Sequence, residues 1–118
     1  MGTFSCRLKL ISMNGEKSVE LDALVDTDAF YTQVPSSLLE ELGVERTDSL
    51  NLQFADGRTV RHDIGYAWAS LNGKRVITQV VFASEDSAAL LGAYTLEGLR
   101  LVVDPVSRRL LSVEAVSA

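Results

Sequence analysis

The sequence predicts an all-β domain, a small closed or partly closed β structure carrying one or two short helices. Three observations lead there. Apolar and polar residues alternate with a period of two through most of the chain, which is the pattern of half-buried strands. Turn dipeptides recur at short intervals: Asn14-Gly15, Asp56-Gly57 and Asn72-Gly73. Helix-like patterning is confined to two brief stretches, "VPSSLLEELGV" and "LLGAYTLEGL". Some seven to nine short strands, with a turn every ten or so residues, suit a sheet that curls on itself.

The elements follow in order. Phe4, Cys6, Leu8 and Leu10 alternate with polar residues, and Val19, Leu21, Ala23 and Val25 do the same after "MNGE". Asn14 and Gly15 both tolerate positive φ, so these runs read as a hairpin. It delivers the chain to Asp26. "VPSSLLEELGV" reads as a short helix capped by Ser37, with Glu40 three residues on as capping-box partner and Gly43 as the C-terminal stop. Leu50, Leu52 and Phe54 alternate up to the Asp56-Gly57 turn, and Val60 and Ile64 mark a return strand. "YAWASLNGKRVITQVVFA" reads as a further hairpin turning at Asn72-Gly73, and "SEDSA" as a solvated polar loop. An apolar pair and glycine, Leu90-Leu91-Gly92, precede a short helix at about Tyr94 to Leu99. Asp104-Pro105 separates two final strand-like runs.

A length of 118 residues predicts one domain, residues 1–118, with no shift of composition to mark a second. The net charge of −5 argues against a nucleic acid or an anionic membrane held by a general basic field. The single cysteine, Cys6, cannot form an internal disulfide. The N-terminus has no continuous apolar segment of the secretory kind, and no run approaches membrane-spanning length. A soluble, cytoplasmic protein without a membrane partner is expected. His62 is the only histidine, which excludes a histidine-based metal cluster. The glycines are scattered at turns and form no phosphate-binding loop, so no metal or other cofactor is expected.

The stretch that departs from a generic β pattern is "ALVDTDAFYTQVP", Ala23 to Pro35, where an apolar run ends on Asp26-Thr27-Asp28. Read as residues alone, it has two meanings. Asp and Thr form turns because their side chains bond nearby backbone groups. A carboxylate at the mouth of an apolar barrel is also a group whose acidity its surroundings can tune. The Asp56-Gly57 hairpin is likewise either a plain surface turn or a flexible lid. Leu90, Leu91 and Gly92 read first as core, with the glycine permitting close backbone approach.

These segments together resemble the retropepsin-like aspartic proteases. Ala23-Leu24-Val25-Asp26-Thr27, followed by the small Ala29, is similar to that family's apolar run and Asp-Thr-Gly-Ala signature. Leu90-Leu91-Gly92 resembles its apolar-apolar-glycine segment. The hairpin at Ala55, Asp56, Gly57 and Arg58 sits where the family places its flap. "VPSSLLEELGV" resembles the segment that follows the active site in bacterial members. The ordered likeness runs from the first hairpin to the last strands. It implies a closed acid-protease β-barrel and an aspartic endopeptidase that works as a homodimer on peptide or protein substrates. Asp26 of each subunit would share one proton in a dyad on the two-fold axis. Thr27 would bond across the interface and brace the two loops, supported by Asp28 and Ala29.

One position departs from the family pattern. Asp28 stands where the family has glycine, a residue that lets the backbone turn past the catalytic carboxylate and supports it through its N–H. A dimer would therefore gather two Asp26 and two Asp28 side chains. The alternative function that follows is a catalytically impaired retropepsin-like dimer serving as a peptide-binding or scaffold module.

Overall fold

The computed structural model describes residues 4–54 and 56–113. Nine strands and two helices follow one another among them: β1 (Phe4–Ile11), β2 (Ser18–Val25), β3 (Thr32–Pro35), α1 (Ser36–Leu42), β4 (Asp48–Gln53), β5 (Thr59–Leu71), β6 (Lys74–Ala83), β7 (Leu90–Leu91), α2 (Ala93–Gly98), β8 (Leu101–Asp104) and β9 (Arg109–Ser112).

The sheet closes. Its order is β1-β2-β7-β3-β6-β5-β4, and β1 also pairs with β5 through Lys9↔Ser70, Leu10↔Ala69 and Ile11↔Trp68. Six strands thus form a ring with no free edge between them, which removes the unpaired N–H and C=O rows that an open sheet presents. Strand β4 hangs outside the ring, bonded only to β5 among the described strands. Alternation supplies the interior. Leu8 and Leu10 of β1, Val25 of β2, Val34 of β3, Val80 of β6 and Leu91 of β7 are all buried in one apolar cluster. Strands β8 and β9 make a separate two-stranded sheet.

The turns divide by local chemistry. Asn72 and Gly73 both adopt positive φ, 52° and 78°, and join Leu71 to Lys74 in a tight two-residue hairpin. At Asn14-Gly15 only the glycine is left-handed. The connection there is a six-residue loop between the paired Ile11 and Ser18, held by Ser12, whose hydroxyl donates to Asn14 Oδ1 and whose carbonyl accepts from Gly15 N.

Two sequence expectations are corrected. The return strand at Val60–Ile64 and the strand beginning at Tyr66 are one element, the 13-residue β5. Gly65 does not break it. A Cβ there would lie 2.3 Å from the Glu45 carbonyl oxygen and 2.7 Å from Val44 Cγ1, so the glycine admits the chain that follows α1. The cap of α1 is also different. Pro35 occupies the N-cap position and no side chain of the helix caps it, while Gly43 ends the helix in the left-handed conformation as expected. Ser37 instead binds Glu85 of the 84–88 loop: its N–H donates to Oε2 over 2.9 Å and its hydroxyl to Oε1. Glu40 pairs with Arg46 at 3.0 Å. The acid that serves the helix therefore comes from a segment 48 positions away. Among the described residues, no helix is long and apolar enough to cross a membrane.

Candidate active site

The parallel pairing of β2 with β7 places the Asp26 segment. Leu24 pairs with Leu90 and Val25 with Leu91, and the ladder continues one step as Asp26 N donates to the Leu91 carbonyl over 3.1 Å. The strand ends there because the chain folds back on itself. Ala29 N donates to Asp26 O over 3.2 Å, and Asp28 N donates to Asp26 Oδ1 over 3.0 Å. The second bond is the local side-chain-to-backbone contact that aspartate favours at turns. Here it also fixes the carboxylate. Oδ2 keeps no protein partner among the described residues. Asp26 is half-buried, Thr27 and Asp28 are exposed, and Ala29 is half-buried.

Asp28 sits without backbone strain. It is not among the residues with positive φ, so the position that carries glycine in the resembling family imposes no left-handed conformation in this chain.

The loop is strapped to the start of α2. Ala93 N donates to Ala29 O and Tyr94 N to Phe30 O, both at 2.9 Å. Gly92 lies directly beneath. A Cβ on it would come within 2.6 Å of the Tyr31 carbonyl carbon and oxygen and 2.7 Å of the Phe30 oxygen, so any side chain would push the loop away. Leu91 is fully buried and Leu90 half-buried. These three residues act on the site by packing and backbone support.

A threonine network completes the support, and the sequence reading missed it. Thr95 Oγ1 lies 2.6 Å from Thr32 Oγ1 and 2.8 Å from Thr78 Oγ1, and Gly92 N donates to Thr32 Oγ1 over 3.1 Å. All three threonines are buried. They tie β3, β6 and α2 together under the loop. The signal was present in the pattern: Thr32 shares the inward phase of Val34, and Thr78 that of Val80 and Phe82.

The β4–β5 hairpin holds the expected flap residues. Ala55 lies outside the described residues. Gly57 turns the chain at φ 87°, with Phe54 N bonded to Arg58 O and Gly57 N to Phe54 O. Asp56 Oδ1 accepts from Arg58 N at 2.9 Å and its Oδ2 meets Arg58 Nε at 3.3 Å, while the guanidinium carbon stands 5.1 Å from the Phe54 ring centre. The hairpin shares no hydrogen bond or ion pair with the Asp26 loop among the described residues.

Beside Thr27 opens an apolar cleft of about 370 Å³, lined chiefly by Leu96, Leu101, Val102, Val103 and Pro105. Val102 is 48% exposed, and Leu111 and Val113 of the β9 end are exposed as well. His62 shares no hydrogen bond with the Asp26 loop among the described residues; its Nδ1 lies 3.0 Å from the Phe82 carbonyl oxygen.

No protein-family model matches the sequence, and no curated protein matches it. Solved structures do. The EIAV protease complexed with the inhibitor HBY-793 aligns with a TM-score of 0.64 at 18% identity, covering 86% of this chain and 94% of that one. The simian foamy virus (mac) protease aligns with a TM-score of 0.56 at 19% identity, covering 80% and 92%. A retropepsin-like aspartic protease from Rickettsia conorii gives 0.49 at 21% identity, covering 87% and 85%. What the first two share with this chain over most of both lengths is the fold, and the chain has the retropepsin fold.

Proposed function

We propose that the protein is an aspartic endopeptidase active as a homodimer. The observation that carries the reading is the Asp26 carboxylate. It is half-buried at the end of β2, oriented by the Asp28 N–H through Oδ1, and without a partner at Oδ2 among the described residues. Hydrolysis of an amide by carboxylates needs two of them: one accepts a proton from water while the other donates to the peptide carbonyl, and they hold one proton between them. A single chain supplies one such group. A second copy related by a two-fold axis supplies the other at no cost in new sequence. On this reading Thr27, which is exposed beside the apolar cleft, meets that copy, and the Asp56–Arg58 hairpin serves as the flap over bound peptide. The domain acts as a unit over residues 1–118, and its partners are a second copy of itself and a peptide or protein substrate.

In Asp26→Asn, peptide cleavage by the purified protein should disappear while circular dichroism and oligomeric state stay unchanged. Cleavage retained by this variant would remove Asp26 from the chemistry.

Asp28 favours a second reading, a dimer that binds peptides with little or no cleavage. Its side chain is exposed and adds a carboxylate per subunit next to Asp26. Absence of cleavage by both the wild type and Asp28→Gly, across a broad peptide library from acidic to neutral pH, would select it.

A further inference from the structure

Strand β5 and its partner β6 are apolar on both faces. Ala67 and Ala69 face inward and are buried, as are Thr78 and Val80 across the ladder. The outer face of such a sheet is usually polar. Here it holds Tyr66, Trp68 and Ile77, with Tyr66 41% and Ile77 42% exposed. Tyr66 and Ile77 line a cleft of about 590 Å³, larger than the one beside Thr27. The β1–β2 loop contributes Met13, Glu16 and Lys17 to it, and the segment after α1 contributes Glu45 and Thr47. Both sides are fixed. Lys17 N donates to Ser12 Oγ and Glu16 N to Asn14 Oδ1, each over 3.0 Å, and Thr47 N donates to Ile64 O over 2.9 Å. The cleft lies at the start of β2 and Asp26 follows its end, so the eight-residue strand, about 25 Å long, separates the two.

The chain covers other aromatic rings with its own arginines. Arg75 lies 4.1 Å from the centre of the Trp68 ring, two positions along from Tyr66 on the same face. Arg46 lies 4.2 Å from Phe82 and Arg58 5.1 Å from Phe54. Tyr66 has no cation or ring partner among the described residues. Acids flank it instead. Glu16 and Glu45 line the same cleft, both exposed, and neither is in an ion pair among the described residues. Glu16 accepts from Asn14 Nδ2 over 3.0 Å, a neutral donor that leaves its charge uncompensated. Lys17 is the one base of the lining among the described residues, so two acids against one base leave it net negative.

We propose that this cleft is a docking site for an arginine-bearing segment of a partner protein, with an apolar residue beside the arginine. A guanidinium is planar. It stacks on the Tyr66 ring while its edge N–H groups reach a carboxylate, which a compact ammonium does less well. The apolar neighbour packs on Met13 and Ile77, whose exposed surface is otherwise wet. Glu16 and Glu45 repel an acidic segment. Fixed sides mean that little ordering is paid for at binding. The inference makes no use of the Asp26 chemistry and goes beyond it.

The test uses the full chain carrying Asp26→Asn, so that no probe is cleaved, and terminally blocked peptides Leu-Arg-Leu, Leu-Lys-Leu, Leu-Gln-Leu and Leu-Glu-Leu. Titration followed by amide chemical shifts reads affinity and place together. The arginine peptide should move the amides of residues 12–17 and 43–47. It should bind about tenfold tighter than the glutamine peptide, the size of one cation–π contact with an exposed ion pair, with the lysine peptide between them. Tyr66→Leu and Glu45→Gln should each erase most of that preference, and added salt should weaken it. Equal binding of the arginine and glutamine peptides overturns the inference, as does a preference unchanged in both variants. Shifts confined to residues 26–31 also overturn it. Methylguanidinium binding as tightly as the arginine peptide removes the partner segment and leaves a site for a free cation. Self-association lost in Tyr66→Leu gives the cleft to a second copy and equally overturns the proposal. Should Tyr66→Leu fail to fold, Glu45→Gln and Glu16→Gln carry the same comparison.

Discussion

The amide of Asp28 donates to the carboxylate of Asp26 at 3.0 Å, so the residue that adds a charge beside the site also orients the site. The two contributions separate by substitution. Asp28→Gly and Asp28→Asn both keep the N–H and both remove the carboxylate. In a dimer four acids would then become two, and the singly ionised dyad that the reaction starts from would meet less repulsion from its neighbours. Each variant should raise kcat/KM by about tenfold, the effect of about 1.4 kcal/mol on the barrier. Peptide cleavage kinetics at fixed ionic strength measure it. Equal or lower activity in both variants would show that the Asp28 charge does not burden the site.

The threonine network supports the loop from below, and its central hydroxyl belongs to Thr95. In Thr95→Val the shape is nearly kept, but the Thr78 hydroxyl loses its side-chain partner in a fully buried setting. Leaving a buried polar group unsatisfied costs about 1–3 kcal/mol. Urea unfolding should show a lower midpoint with an unchanged slope. A variant as stable as the wild type would mean that the hydroxyls find other partners.

Much of this architecture is written in local chemistry, and the remainder depends on distant segments. The alternation of β1 and β2 shows directly, as does Asn72-Gly73, where both residues take the left-handed conformation their turn requires. The Asp26 segment stood out because an apolar run ends on acids, and the ordered family-like segments pointed to the fold that the solved structures share. The strands read at Val60–Ile64 and from Tyr66 proved to be one, because the glycine between them continues the strand while it admits the Glu45 carbonyl from a distant segment. The cap of α1 misled for a related reason: Ser37 had a plausible partner three residues on, and Glu85 reached it from the 84–88 loop. Thr32, Thr78 and Thr95 are scattered through the chain, and only the pairing of β3 with β6 and the docking of α2 bring them together.

That long-range cap gives stability a dependence on pH. The Ser37 hydroxyl, and after it the Ser37 N–H, hold the Glu85 carboxyl below its ordinary value. A group whose acidity is strengthened in the folded state contributes stability that is present above its unfolded value, about 4.3 for glutamate, and is lost as pH falls through the lower folded value. Glu85→Gln should therefore melt below the wild type at pH 7, with the difference narrowing at an acidic pH well below the unfolded glutamate value. Thermal melts at the two pH values test it, and a difference that stays constant with pH would show that the charge is not what joins the loop to α1.

Val102 offers the direct test of pairing between copies. It is 48% exposed on β8, borders the apolar cleft beside Thr27, and belongs to a two-stranded sheet that stands outside the closed ring. Contiguous apolar surface of this kind marks interaction sites. If a second copy covers it, Val102→Asp places two carboxylates in a desolvated contact, an arrangement that costs several kcal/mol through like-charge juxtaposition. Sedimentation should show the wild type as a dimer and the variant shifted to single subunits. Peptide cleavage should fall in the same proportion and return in part at high protein concentration if, as proposed, the dyad forms only between two copies. The alternative outcome is equally plain: a variant that stays dimeric and active would move the interface away from β8, and a wild type found only as single subunits would leave Asp26 without the second acid that its chemistry requires.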